Sequence, residues 1–223
     1  MKTNILSLTG LLLMAIPLAA QRVNTHIEPP TDAVVAIHVE SSGKGVIGVQ
    51  TRNIEGERDG NLQITRGIGQ SFQWNSSDKL HGIGLHLHSD QSKFPWSSHH
   101  EQLYLLHISR GHGPELVPPL SKVETFSVLI PGSLISNTGN KYLYFEGLDI
   151  SLEKGSWYGF QLAPAQDSFS PTRLFFSASD TDYAGNTTAI RVELSGFPCQ
   201  GAFTNDFGGA KDFVFFLTTK KRR

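Results

Sequence analysis

Short runs of apolar residues recur along the chain, and clusters of Gly, Pro, Asn, Asp and Ser separate them. Within several runs apolar and polar positions alternate, which is the period of a half-buried strand, whereas helical periodicity is nearly absent after the first twenty residues. The pattern predicts strands at Val34–Val39, Gly45–Thr51, Leu62–Thr65, Gly69–Trp74, Gly82–His88, Gln102–Ile108, Glu124–Ile130, Tyr142–Ile150, Ser156–Leu162, Thr172–Ala178, Thr188–Leu194 and Asp212–Thr218.

The alternation also assigns the faces of a strand. Between residues 83 and 88, Ile83, Leu85 and Leu87 share one side, and His86 and His88 share the other. Strands of this kind without intervening helices predict an all-β fold, an antiparallel two-sheet β-sandwich with jelly-roll topology. An immunoglobulin-type sandwich is disfavoured, because the chain is about twice as long and lacks the Cys–Trp–Cys core of that fold.

The first twenty residues have the pattern of a signal peptide. Lys2 precedes an apolar stretch that ends in the small residues Ala19 and Ala20, and the stretch is too short for a membrane span. We therefore expect a cleaved 1–20 segment, a secreted, extracellular or periplasmic location, and no membrane insertion. The expected organisation of the rest is a lead-in with edge strands at 21–61, a jelly-roll sandwich at 62–219 and a basic tail at 220–223.

Charge and cysteine content narrow the choice of partner and compartment. The chain has 19 basic and 20 acidic residues and a formal net charge of −1, so no nucleic-acid partner is expected and a neutral partner is favoured. The four cations of the tail are expected to form a solvated end. The single cysteine, Cys199, cannot form an internal disulfide. An exported protein of bacterial type is the favoured interpretation.

Several short motifs resemble those of a known group of modules. They are Ile68-Gly69-Gln70-Ser71-Phe72, the Leu103–His107 strand, the run Leu152–Phe160 with its L-x-x-G-x-x-Y-x-F spacing, and the turn Tyr183-Ala184-Gly185-Asn186. From about Gly67 to Leu217 the chain resembles the jelly-roll, carbohydrate-binding-like β-sandwich modules of exported environmental-bacterial proteins. The resemblance implies a sandwich fold and carbohydrate as the partner. The sequence departs from the pattern of these modules at Asn186, which stands where their turn has a second glycine.

Aromatic residues near polar loops are the candidates for binding a sugar. A neutral sugar needs an aromatic face for the apolar side of its ring and polar groups that orient on its hydroxyls. Trp96 lies in a polar, Pro-containing connection beside His99 and His100, and Trp74 ends a strand before a polar turn. We predict these four residues as ligand-binding positions. The alternative is that both indoles pack against neighbouring loops or the core.

The turn from Ser179 to Asn186 offers a second set of polar groups. Asp182, Tyr183 and Asn186 are predicted ligand-binding residues there, and the oxygens of Asp180, Asp182 and Asn186 are a possible Ca²⁺ site. The alternative is that these side chains hydrogen-bond their own backbone, as acidic turn residues commonly do.

Signatures of catalysis are weak in this sequence. His86 and His88 could chelate one metal ion, as in cupins, but the downstream glutamate of that pattern is missing. The sequence has no Gly-x-Ser-x-Gly elbow and no His-Glu-x-x-His motif, so no catalytic residue is predicted. The predicted function is a secreted non-catalytic module that binds polysaccharide or glycoconjugate. Two alternatives remain open, a structural or adhesive protein that contacts other proteins, and a metal-dependent or glycan-cleaving enzyme.

Overall fold

The protein is built from antiparallel strands. A computed structural model describes residues 21–41, 47–59, 62–88, 101–116, 120–135, 140–165, 174–179, 181, 183–185, 187–193 and 212–222. The strands are β1 Arg22–His26, β2 Ala33–Val39, β3 Ile47–Asp59, β4 Leu62–Gln73, β5 Leu80–His86, β6 Glu101–Gly111, β7 Ser121–Pro131, β8 Tyr142–Ile150, β9 Trp157–Pro164, β10 Leu174–Ser179, β11 Thr187–Glu193, β12 Asp212–Phe213 and β13 Phe215–Lys220, with a 3₁₀ turn at Gly132–Leu134.

The strands form two sheets. The smaller has the order β1-β8-β5-β13-β2, and the larger has the order β12-β10-β3-β4-β9-β6-β7, with β11 paired to β4. Every strand pair in the described part of the chain is antiparallel; β8, for example, lies with Leu143 opposite Leu85 of β5. The prediction of an all-β sandwich with antiparallel sheets is confirmed, and the jelly-roll order of connections stays a prediction.

One apolar core lies between the sheets. Ile83 and Leu85 of the smaller sheet and Phe72, Leu106 and Phe160 of the larger belong to the same cluster of buried side chains. The rings of Phe160 and Phe215 meet across the two sheets, with centroids 5.6 Å apart. In β6 and β9 every second side chain belongs to this core, as the alternation of apolar residues predicts: Tyr104, Leu106 and Ile108 in β6, and Tyr158, Phe160 and Leu162 in β9.

The outer face of the smaller sheet carries a second, aromatic cluster of Tyr142, Tyr144, Val214 and Phe216. These side chains alternate with core residues of the same strands, so they point away from the core. The segment from Ile27 to Asp32 joins β1 and β2, which lie at opposite edges of this sheet. It therefore crosses the outer face above the aromatic cluster.

The two sheets meet at one corner. The chain leaves the larger sheet with β12 and enters the smaller with β13, and Val214 is the single residue between them. Val214 N–H donates to Ser177 O of β10 at 3.0 Å, and His88 N–H donates to Phe175 O at 3.0 Å. Side chains from both sheets thus come within contact distance at this corner. No helix among the described residues has the length and apolar character needed to cross a membrane.

Candidate functional site

Most of the predicted site residues lie outside the described part of the chain. This applies to Trp96, His99 and His100 of the loop after β5, and to Asp180, Asp182 and Asn186 of the turn after β10. Their roles in binding sugar or calcium stay predictions. Among the residues that the structure describes, no group of three or more His, Cys, Asp or Glu side chains could hold a metal ion.

The structure corrects the prediction that Trp74 binds a ligand. Its side chain is fully buried and belongs to the core, with its ring 6.4 Å from that of Phe72 in an edge-on arrangement. Its backbone is fixed as well, because Trp74 N–H donates to Ser156 O and Trp74 O accepts from Gly155 N–H. A ring with no exposed face cannot stack on a sugar, so Trp74 is a packing residue.

Tyr183 is partly buried, and it packs against the core with its ring 5.6 Å from Phe215. Burial raises the pKa of its phenol above the usual value, so the group stays protonated at physiological pH. Thr181 donates a hydrogen bond to the buried carboxylate of Asp212. Tyr183 and Thr181 therefore anchor the turn to the sandwich, and the role of Tyr183 in ligand binding stays a prediction.

A groove of about 460 Å³ lies at the corner where the sheets meet. Binding sites for small molecules commonly have volumes of this order, roughly 300–1,000 Å³. Segments that are distant in the sequence form its walls. They are the segment Ile27 to Asp32, which we call the crossing segment, the ends of β2 and β5, the start of β8, β10, and the link before β13. The residues are Ile27, Glu40, Ser41, His86, His88, Asn140, Tyr142, Ser177 and Val214. We call it the corner groove.

His86 connects two walls of the corner groove. Its Nδ1 lies 2.8 Å from Ser177 Oγ, and its Nε2 lies 3.1 Å from Asn140 Oδ1. One neutral tautomer satisfies both contacts, because Nε2–H can donate to the Asn140 carbonyl while Nδ1 accepts the Ser177 hydroxyl proton. Burial lowers the pKa of His86, the Asn140 contact raises it, and the nearby His88 lowers it. The net direction is downward, so His86 is neutral at physiological pH.

A second polar chain includes Tyr142 and Glu40 of the groove lining. Tyr142 OH is 3.3 Å from His38 Nε2, and His38 Nδ1 is 3.4 Å from Glu40 Oε1. The Tyr142 ring meets that of His86 edge-on, with centroids 5.0 Å apart. Burial raises the pKa of Tyr142, and the negative charge of Glu40 raises it further. The groove therefore presents imidazole, phenol, amide, carboxylate and hydroxyl groups together.

Comparisons with known proteins give a weak structural likeness. No family model matches the chain, and no curated protein matches it. Among solved structures, it is similar to part of the crystal structure of the cysteine protease and lectin-like domains of Cwp84, a surface layer associated protein of Clostridium difficile, with 12% identity and a TM-score of 0.40. The match covers 72% of this chain and 34% of that one. At this TM-score the likeness carries no conclusion about fold or function.

Sequence reasoning missed most of the corner groove. The alternation of His86 and His88 placed their side chains on the polar face of β5, which is the only signal that pointed to this place. Nothing in the local sequence joins Ser177, Asn140 or Tyr142 to that face. The corner that brings them together depends on the passage of the chain between sheets at Val214.

Proposed function

We propose that the protein binds carbohydrate outside the cell, as part of a polysaccharide or glycoconjugate, at the corner groove. The observation that carries the proposal is the corner groove itself, in which the polar residues His86, Asn140 and Glu40 share the lining with Ile27, an apolar residue that is 78% exposed. The resemblance of the Ile68–Phe72 and Leu152–Phe160 motifs to carbohydrate-binding-like modules supports the same function.

The chemistry of the groove suits a sugar. The amide nitrogen of Asn140 can donate to ring hydroxyls and the carboxylate of Glu40 can accept from them, and each such hydrogen bond contributes about 0.5–1.5 kcal/mol. Ile27 offers an exposed apolar surface to the carbon face of the ring. Because His86 is already held by Ser177 and Asn140, little side-chain freedom is lost when a ligand binds.

The predicted aromatic residues fit this proposal by their position in the chain. His88 lines the corner groove and directly precedes the segment 89–100, which contains Trp96, His99 and His100. We propose that Trp96 supplies the stacking face that the described walls do not offer, since Tyr142 is only 7% exposed.

A second candidate function comes from the contact between Ser177 and His86. A serine hydroxyl 2.8 Å from a neutral imidazole is the arrangement of an activated nucleophile, which suggests cleavage of an ester on the bound glycan. The backbone hydrogen bonds around the groove favour binding over ester cleavage. The N–H groups of His86, His88 and Val214 each donate to a carbonyl, so these three cannot stabilise an oxyanion. Ester cleavage that disappears in Ser177→Ala would establish this second function.

Two substitutions at exposed positions test the binding function. Ile27→Ala removes the exposed apolar side chain of the corner groove, and Glu40→Gln removes its carboxylate. Neither substitution changes a core residue. We expect each variant to bind the glycan about tenfold more weakly, which corresponds to the loss of about 1.4 kcal/mol. Affinity gel electrophoresis over a panel of neutral and acidic polysaccharides would measure this change.

The matched control is Leu129→Ala, which removes a similar exposed apolar side chain from the larger sheet. It should bind as the unchanged protein does. Equal affinity of all three variants, or no retardation on any glycan, would contradict the proposal.

A further inference from the structure

A group of basic residues lies at the other end of the smaller sheet from the corner groove. Two neighbouring grooves there, of about 270 and 610 Å³, share the walls Lys220, Lys221 and Arg222 at the end of β13. The first is completed by Asp78, Lys79 and Asp149, and the second by Thr31, Asp32 and His81. We call the surface around Lys79 and the three tail cations the basic patch.

Two of these cations are fixed by carboxylates. Lys220 Nζ lies 2.7 Å from Asp149 Oδ2, and Arg222 Nε lies 3.1 Å from Asp78 Oδ1. Asp149 also contacts His81 Nδ1 at 2.8 Å through its other oxygen. Burial opposes ionisation of Asp149, but the hydrogen bonds from Lys220 and His81 outweigh it and hold the pKa of that carboxyl below its usual value. The start of the tail is therefore docked on the sheet.

The remaining cations give the patch a positive excess. Lys79 and Lys221 have no carboxylate partner among the residues that the structure describes. Four cations face two carboxylates in the smaller groove, and three face one in the larger. The net charge of −1 for the whole chain conceals this local concentration of positive charge. Such a concentration attracts anions at close range and loses strength as salt increases.

We propose that the basic patch binds the carboxylate or sulfate groups of an acidic polysaccharide, as a second subsite for the ligand of the corner groove. This rests on the proposed function. His81 and His86 mark the two sites on the same strand, β5, and lie about 17 Å apart along it. The crossing segment also joins them, because Ile27 lines the corner groove while Thr31 and Asp32 line the larger basic groove. One extended glycan chain can therefore reach both sites along a continuous surface.

The test compares two double variants with the same net charge. Lys79→Gln with Lys221→Gln removes the two cations that lack a partner, and Lys122→Gln with Lys154→Gln removes two exposed lysines elsewhere. Binding is measured by affinity gel electrophoresis against polygalacturonate, dextran sulfate and a neutral glucan, in low and high salt. We expect the patch variant to bind the acidic glycans at least tenfold more weakly and the neutral glucan unchanged, with the control variant unaffected throughout.

The three glycans also separate the possible sources of the anion. A loss confined to polygalacturonate identifies a carboxylate as the ligand group, and a loss confined to dextran sulfate identifies a sulfate. Equal losses in both double variants, or equally tight and salt-sensitive binding of duplex DNA, would overturn the inference, because the protein would then bind any polyanion through its charge alone. If acidic and neutral glycans bind alike and only Ile27→Ala and Glu40→Gln weaken them, this inference fails while the proposed function stands.

Discussion

His107 shows how a single buried side chain makes this protein sensitive to acid. It lies on β6 with 5% of its surface exposed, and its Nδ1 is 2.8 Å from Thr125 Oγ1. Burial lowers the pKa of His107 to about 4, with a further contribution from the positive charge of Lys122. The native protein therefore keeps this imidazole neutral at a pH where an unfolded chain would protonate it.

We predict that His107 lowers the stability of the fold as the pH falls from 6.5 towards 4. In that range the unfolded state binds a proton and the native state does not, so the free energy of unfolding decreases by about 3 kcal/mol from this group. Urea denaturation at pH 7.5 and pH 4.5 would measure it. In His107→Gln the difference between the two pH values should shrink by a similar amount, and an unchanged difference would refute the prediction.

Trp74 shows that the neighbouring residues in the sequence can give a wrong prediction of the exposure of a side chain. It follows β4 and precedes a polar turn, a position that suggests exposure. The direction of its side chain is set by the strand, since Ile68 and Phe72 belong to the same core face and Trp74 continues that period. The period-two alternation along β4 therefore predicts that the Trp74 side chain is buried in the core.

At the scale of an element, β5 depends on glycine for a reason other than backbone freedom. A Cβ atom at Gly82 would collide with the ring of Tyr144, and one at Gly84 would collide with the ring of Phe216. The rings of Tyr144 and Phe216 lie 5.5 Å apart with an angle of 34° between their planes. The glycines thus leave room for two large rings to lie over the outer face of the sheet.

Gly84→Ala should therefore destabilise the protein by overpacking, by about 1–3 kcal/mol. Thermal or urea unfolding of the purified variant would show it. The double variant Gly84→Ala with Phe216→Leu should recover part of the loss, because the smaller side chain vacates the space that the methyl group needs. If the two substitutions added independently, the collision would not be the cause.

The elements themselves could be predicted well where alternation was regular. The bounds expected for Tyr142–Ile150 are those of β8, and the polar face of β5 was placed on the right side. Two expected strands around Gly67 are instead one strand, β4, because Gly67, which looks like a break, lets β4 approach Ala163 of β9 closely. β1 was missed, since Arg22–His26 has almost no apolar alternation and gains its order by pairing with β8.

At the scale of the whole molecule, local pattern determined the class of fold but could not place the sites. The corner groove draws on segments from residue 27 to residue 214, and the basic patch draws on residues 31 to 222. Sequence reasoning treated the tail as a solvated end, because the carboxylates that dock it, Asp78 and Asp149, are far away in the chain. Such neighbours follow from strand order, which no short window of residues contains.

The smaller sheet takes strands from both extremes of the chain. The first two strands, β1 and β2, pair with β8 and β13, and β13 ends at Lys220. The pairing of β2 with β13 joins residues as far apart as Val39 and Phe215, and contacts of such long range form slowly during folding. Because β13 lies between β5 and β2, the smaller sheet is complete only after this distant pairing has formed.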